Sequence, residues 1–98
     1  MNGRYILNAN GDPEPCEDLL TWAKAFEGNR KVASDHVGNI HVSTVFLGLD
    51  HSFGGPIPIL YETMVFGGPL DGERERYATR EQAITGHESM LAKVRRRQ

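Results

Sequence analysis

Cysteine is almost missing from these 98 residues: Cys16 stands alone. A single thiol closes no internal disulfide, so the stapled framework of a small secreted domain is excluded. Charge of one sign is lacking too. Eleven Lys and Arg against thirteen Asp and Glu leave a formal net charge of −2. No global basic field draws a polyanion or an anionic bilayer, and nucleic acid is not an expected partner. Long apolar runs are also missing. The longest, residues 42–49, falls far short of the ~20 residues that span a bilayer, so no membrane association is expected. The opening residues, Met1-Asn2-Gly3-Arg4-Tyr5-Ile6-Leu7-Asn8, lack the apolar centre of a signal peptide, and the expected location is the cytoplasm. H-x-x-x-H, C-x-x-C and H-E-x-x-H spacings do not occur, and neither glycine-rich turn matches a phosphate-binding fingerprint. No metal and no cofactor is expected.

What is present reads as one α+β domain over residues 1–98, with an ordinary apolar share of 39% and charged share of 24%. Tyr5-Ile6-Leu7 is a short strand, closed by the turn formers Asn8-Ala9-Asn10-Gly11-Asp12; Pro13 and Pro15 then argue against regular structure up to about Glu17. Leu19, Trp22, Ala23 and Phe26 recur at helical spacing, after the acidic Glu17 and Asp18 and before the stop signal Gly28-Asn29. Two β-rich runs flank Gly38-Asn39 and predict a hairpin. Its second strand, residues 40–47, sets Ile40, Val42, Thr44 and Phe46 on one face and His41 and Ser43 on the other. Residues 59–66 predict another strand. After a polar stretch, Thr79-Arg80-Glu81-Gln82 fits a capping box. Ala83, His87, Met90, Leu91 and Val94 make the apolar stripe of a last helix, whose end carries Lys93, Arg95, Arg96 and Arg97 where positive charge suits the helix dipole. The order β-α-β-β-β-α predicts an antiparallel sheet of three to four strands with both helices packed on one face. Two helices leave the second sheet face without cover, and self-association into a homodimer is expected.

Four segments form a pattern: Ser43-Thr44-Val45-Phe46-Leu47-Gly48-Leu49-Asp50-His51, then Leu60-Tyr61-Glu62-Thr63-Met64-Val65-Phe66-Gly67-Gly68, then Arg76-Tyr77-Ala78-Thr79, and finally Gly86-His87. This pattern resembles a family of small proteins encoded by phages and prophages, and the likeness reaches back to Leu7-Asn8-Ala9-Asn10-Gly11. The resemblance implies a setting: a short accessory gene expressed inside a bacterial cell. It brings no activity, cofactor or catalytic residue with it.

Candidate chemistry is sparse. Asp50 and His51 end the best strand where it enters a glycine-rich loop, Glu62 lies in the next strand, and His87 sits on the last helix. Together they are the types that a metal-assisted hydrolase or an acid–base pair would use. Each also has a bland role, Asp50 as a turn residue and His87 as a satisfied core histidine. Gly54-Gly55-Pro56 and Gly67-Gly68-Pro69-Leu70-Asp71-Gly72 offer backbone amides to an anion, with Arg74, Arg76 and Arg80 close behind the second turn. Asp50, His51, Glu62, Arg74, Arg76, Arg80 and His87 are therefore the candidate ligand-binding residues. The expected function is a non-enzymatic binding module acting on a host protein, a host defence system or a small anionic ligand. A small hydrolase and a virion or assembly component are the alternatives.

Overall fold

In the computed structural model, which describes residues 3–28 and 30–97, the chain opens with a two-stranded antiparallel ribbon, β1 (Tyr5–Leu7) and β2 (Pro13–Pro15). Asn8 builds its turn. The Asn8 side-chain oxygen accepts from the amides of Asn10 and Asp12, at 2.9 and 3.0 Å. The prolines do not forbid β2, because a two-stranded ribbon is all edge and the missing amides can face away from the partner. Helix α1 (Leu19–Phe26) follows. Of the expected stop signal, Gly28 closes α1 by donating to the Ala25 carbonyl, while Asn29 lies outside the described residues, as do Met1, Asn2 and Gln98.

The main sheet is a four-stranded antiparallel meander: β3 (Lys31–Val37), β4 (Ile40–Phe46), β5 (Tyr61–Phe66) and β6 (Arg74–Tyr77), in that spatial order. Gly38 joins β3 to β4 at φ +59°, which suits the primed turns that match strand twist. The long helix α2 (Arg80–Arg97) lies across one face. Its start is the expected capping box. The Gln82 amide donates to Thr79 Oγ1 at 3.1 Å, and Gln82 Oε1 accepts from the amides of Ala78 and Thr79.

Alternation along the strands decides what is buried. Ile40, Val42, Thr44 and Phe46 of β4, with Tyr61, Thr63 and Val65 of β5, face α2. The helix answers with Ala83, His87, Met90, Leu91 and Val94, all buried, as its stripe predicts. Gly86 is buried with them, because the Tyr77 ring lies across the helix there. A Cβ at Gly86 would sit 2.2 Å from the Tyr77 hydroxyl.

The α+β class and the antiparallel sheet are as expected, and two details are not. Among the described residues there are six strands in two sheets, since β2 and β6 were not anticipated. Among the described residues only α2 packs on the four-stranded sheet. Helix α1 packs on β1 instead, beyond the end of β4, and none of its residues is fully buried. Trp22 donates to the Gly48 carbonyl at 2.9 Å, and Phe26 stacks under the Arg30 guanidinium at 3.8 Å. Gly48, at φ +75°, allows this approach: a Cβ would meet the Phe26 ring at 3.1 Å. Leu19, at 57% exposure, and Ala23 are exposed, so half of the expected apolar stripe docks nowhere.

Candidate functional site

A chain of polar side chains runs through the interface between α2 and the sheet. His87 Nε2 meets Asp35 Oδ2 of β3 at 2.7 Å, and His87 Nδ1 meets Thr44 Oγ1 of β4 at 2.7 Å. Thr44 in turn bonds the hydroxyl of Thr63, its cross-strand partner on β5. One placement of hydrogens satisfies each link. Thr63 donates to Thr44, Thr44 donates to the unprotonated Nδ1, and Nε2–H donates to the carboxylate. Acid, imidazole and hydroxyl in series have the connectivity of a hydrolytic triad. Access differs. Thr44 is 0% and His87 1% exposed, so neither the hydroxyl nor the imidazole meets a substrate, and only the Asp35 carboxylate reaches solvent. The chain satisfies polar groups inside the core and fixes how α2 sits on the sheet. Asp35 escaped the sequence reading. Its signal was parity, since it shares a face with Val37, two residues on in the same strand.

The expected candidate residues do not converge. Asp50 follows β4 and holds the next loop closed. Oδ1 accepts from the amides of Ser52 at 2.8 Å and Ile59 at 2.9 Å, and Oδ2 accepts from Ser52 Oγ. These amides keep its carboxyl below the ordinary range. His51 Nδ1 donates to the Leu49 carbonyl at 2.8 Å. Glu62 lies on the opposite face of the sheet from His87 and accepts from Arg76 Nε at 2.8 Å. The grouping of Asp50, His51, Glu62 and His87 as one site is thus corrected: the sheet itself stands between the last two. Among the described residues no group of three or more His, Cys, Asp or Glu is arranged to hold a metal ion.

The anion reading of the second glycine turn is corrected as well: Asp71 Oδ1 accepts from the Gly67 amide at 2.6 Å, an amide that an incoming anion would use. At the first turn the Gly55 amide donates to the Ser52 carbonyl at 3.2 Å, and Asp50 takes the flanking amides of Ser52 and Ile59. Arg74 and Arg76 do share a face, two residues apart on β6, but Arg80 begins α2 on the other side.

That face of the sheet is the one α2 does not cover, and among the described residues no other helix or strand packs against it. Across its first row run His36, His41 and Phe66. The two imidazoles stack at 4.4 Å and 5°, and His41 stacks on Phe66 at 5.8 Å. Ser34 Oγ meets His41 Nε2 at 2.7 Å. Burial, then the neighbouring His36 and Lys31, hold the His41 imidazolium below its ordinary pKa of 6.5. The second row is Ser34, Ser43, Met64 and Arg74; the third is Lys31, Val45, Glu62 and Arg76. Cations thus stand on both outer strands, and Phe66 is 47% exposed between them. His36, Phe66 and Lys31 escaped the sequence reading, because only a known register sets them side by side.

Fold and geometry together define a small α+β domain, a helix-backed antiparallel sheet with one uncovered, aromatic and cationic face. No protein-family model, curated protein or solved structure matches the chain.

Proposed function

We propose that this protein is a phage-type accessory factor that works as a non-enzymatic binding module, with the uncovered face of the β3–β6 sheet as its working surface. One observation carries the reading. The imidazole and hydroxyl of the acid–imidazole–hydroxyl chain are sealed in the core, whereas the opposite face presents stacked rings and arginines to solvent. Exposed aromatic side chains and arginine are the residue types that anchor interfaces. The resemblance of the motif pattern to phage and prophage proteins supports the setting, the cytoplasm of a bacterial host, and a role in occupying a host component or an anionic ligand. With the Gly67 amide held by Asp71 and the Gly55 amide by the Ser52 carbonyl, an anion's place is on the sheet face beside Arg74 and Arg76.

A second copy is a weaker candidate for the same surface. With strands aligned, a two-fold stacking sets β6 against either β6 or β3 of the copy. Arg74 and Arg76 then meet arginines or Lys31, and like charges brought together at an interface are costly.

Native mass spectrometry of the protein purified from bacterial cells tests the reading. The expected spectrum shows a companion mass that disappears in the His41→Ala/Phe66→Ala variant while the fold, read by circular dichroism, persists. A companion retained by that variant, stoichiometric transition metal, or a chain that purifies bare overturns it.

A further inference from the structure

We propose that the occupant of the open sheet face is a single-stranded nucleic acid, lying across the strands with a base stacked on Phe66 and its phosphates at Arg74 and the β3 edge. This inference rests on the sheet face being the working surface and names what it holds. The net charge of −2 points away from a polyanion, yet that charge is unevenly spread. Lys31, Arg74 and Arg76 lie on this face, and Glu62 is its one carboxylate among the strand residues, already paired with Arg76. Asp35 and Glu75 point to the α2 side, and Asp71 is tied to the Gly67 amide at the rim.

The rings supply the second argument. His36, His41 and Phe66 stand side by side along the cross-strand direction, as a ladder of stacked planes. At its β6 end the ladder stops, because the strand pairing ends in a bulge: the Gly72 amide donates to the Val65 carbonyl and the Val65 amide to the Glu73 carbonyl, so β6 sets no ring beside Phe66. Phe66 is 47% exposed at this end of the ladder, with Arg74 one row away. A nucleobase stacks on such a ring whatever its identity, since every base has a π-face. An acidic peptide would use the arginines and leave the ring ladder unextended. The cations stand on the two outer strands, about 14 Å apart at the usual strand spacing, which is more than one phosphate can bridge.

Fluorescence anisotropy with labelled mixed-sequence DNA and RNA single strands of about twelve nucleotides tests this on the full chain. Binding is expected to weaken about 5- to 100-fold in Phe66→Ala, the range for loss of one stacked base. It should weaken comparably in Arg74→Glu, stay unchanged in Arg97→Glu at the far end of α2, and decline as salt rises from about 50 to 200 mM. No binding by the wild type overturns the proposal. So does binding that survives Phe66→Ala and Arg74→Glu but is lost in Arg97→Glu, which would locate it on the helix tail. Equal competition by a mononucleotide overturns the single-strand assignment in favour of a free nucleotide. If oligonucleotides fail while a companion protein is lost from His41→Ala/Phe66→Ala in the mass spectrum, this proposal falls and the sheet-face reading stands.

Discussion

Thr44 has the most consequential hydroxyl in the molecule. It serves His87 and Thr63 at once, with no exposure to solvent. Thr44→Val keeps the shape and leaves both partners short of a hydrogen bond, so a loss of about 1–3 kcal/mol is expected in urea unfolding. Because the three groups act as a unit, Thr44→Val/Thr63→Val should cost less than the sum of its two single changes. The Tyr61 hydroxyl is a different case: it is buried without a hydrogen-bond partner among the described residues. At this scale the sequence was partly legible. His87 falls on an apolar helical stripe, so its burial could be read directly. Its partners could not, since Asp35 and Thr44 come from two strands whose register no local pattern reveals. Asp50 and His51 were legible as the end of a strand, but the capping role that occupies Asp50 depends on where Ile59 returns.

Elements with a strong period were read correctly, and those held by context were not. The Gly38-Asn39 hairpin, β4 and the capped α2 follow from alternation, turn chemistry and helical spacing. Strand β6, with the sequence Arg-Glu-Arg-Tyr, carries almost no apolar signal, because only Tyr77 is needed on the α2 side and the backbone ladder with β5 does the rest. Helix α1 shows a clean stripe yet uses only Trp22 and Phe26, since its seat is the narrow margin around Gly48 rather than the broad sheet. The seat of α2 is tighter. Alanine at Gly86 would gain about 1 kcal/mol in helix propensity. It would also drive a methyl group into the Tyr77 ring, and overpacking of that kind costs about 1–3 kcal/mol. Gly86→Ala is therefore expected to lower the Tm despite its better propensity, and Gly86→Ala/Tyr77→Ala should show a smaller change than the two single variants sum to.

The whole molecule loses stability as pH falls, for two reasons acting in different windows. His41 is held neutral by burial and by His36 and Lys31, so the folded state binds fewer protons than the unfolded chain just below pH 6.5. Its contribution is complete above that value and is lost as pH drops through the depressed folded pKa. Asp50 acts lower down: the Ile59 and Ser52 amides favour its carboxylate, and this contribution disappears as that group protonates, below the ordinary carboxylate range. The urea midpoint should thus decline between about pH 7.5 and 5.5, with a shallower decline in His41→Gln, and fall again in stronger acid with Asp50 intact. The molecule is long for its size, 44 × 27 × 21 Å, because the β1–β2 ribbon and α1 extend the sheet end to end rather than layering on it. That ribbon is joined through Tyr5 to the Gly48 carbonyl, Trp22 to the same carbonyl, and the Gly3 carbonyl to the Asp50 amide. All these anchor points lie later in the chain than the ribbon itself. During synthesis, at about 5–20 residues per second, the ribbon is made before the residues it docks on. The helix that seals the strands is translated after all of them. In any state in which the strands have paired and α2 has not docked, the row Val42, Thr44, Thr63 and Val65 that the helix seals lies open.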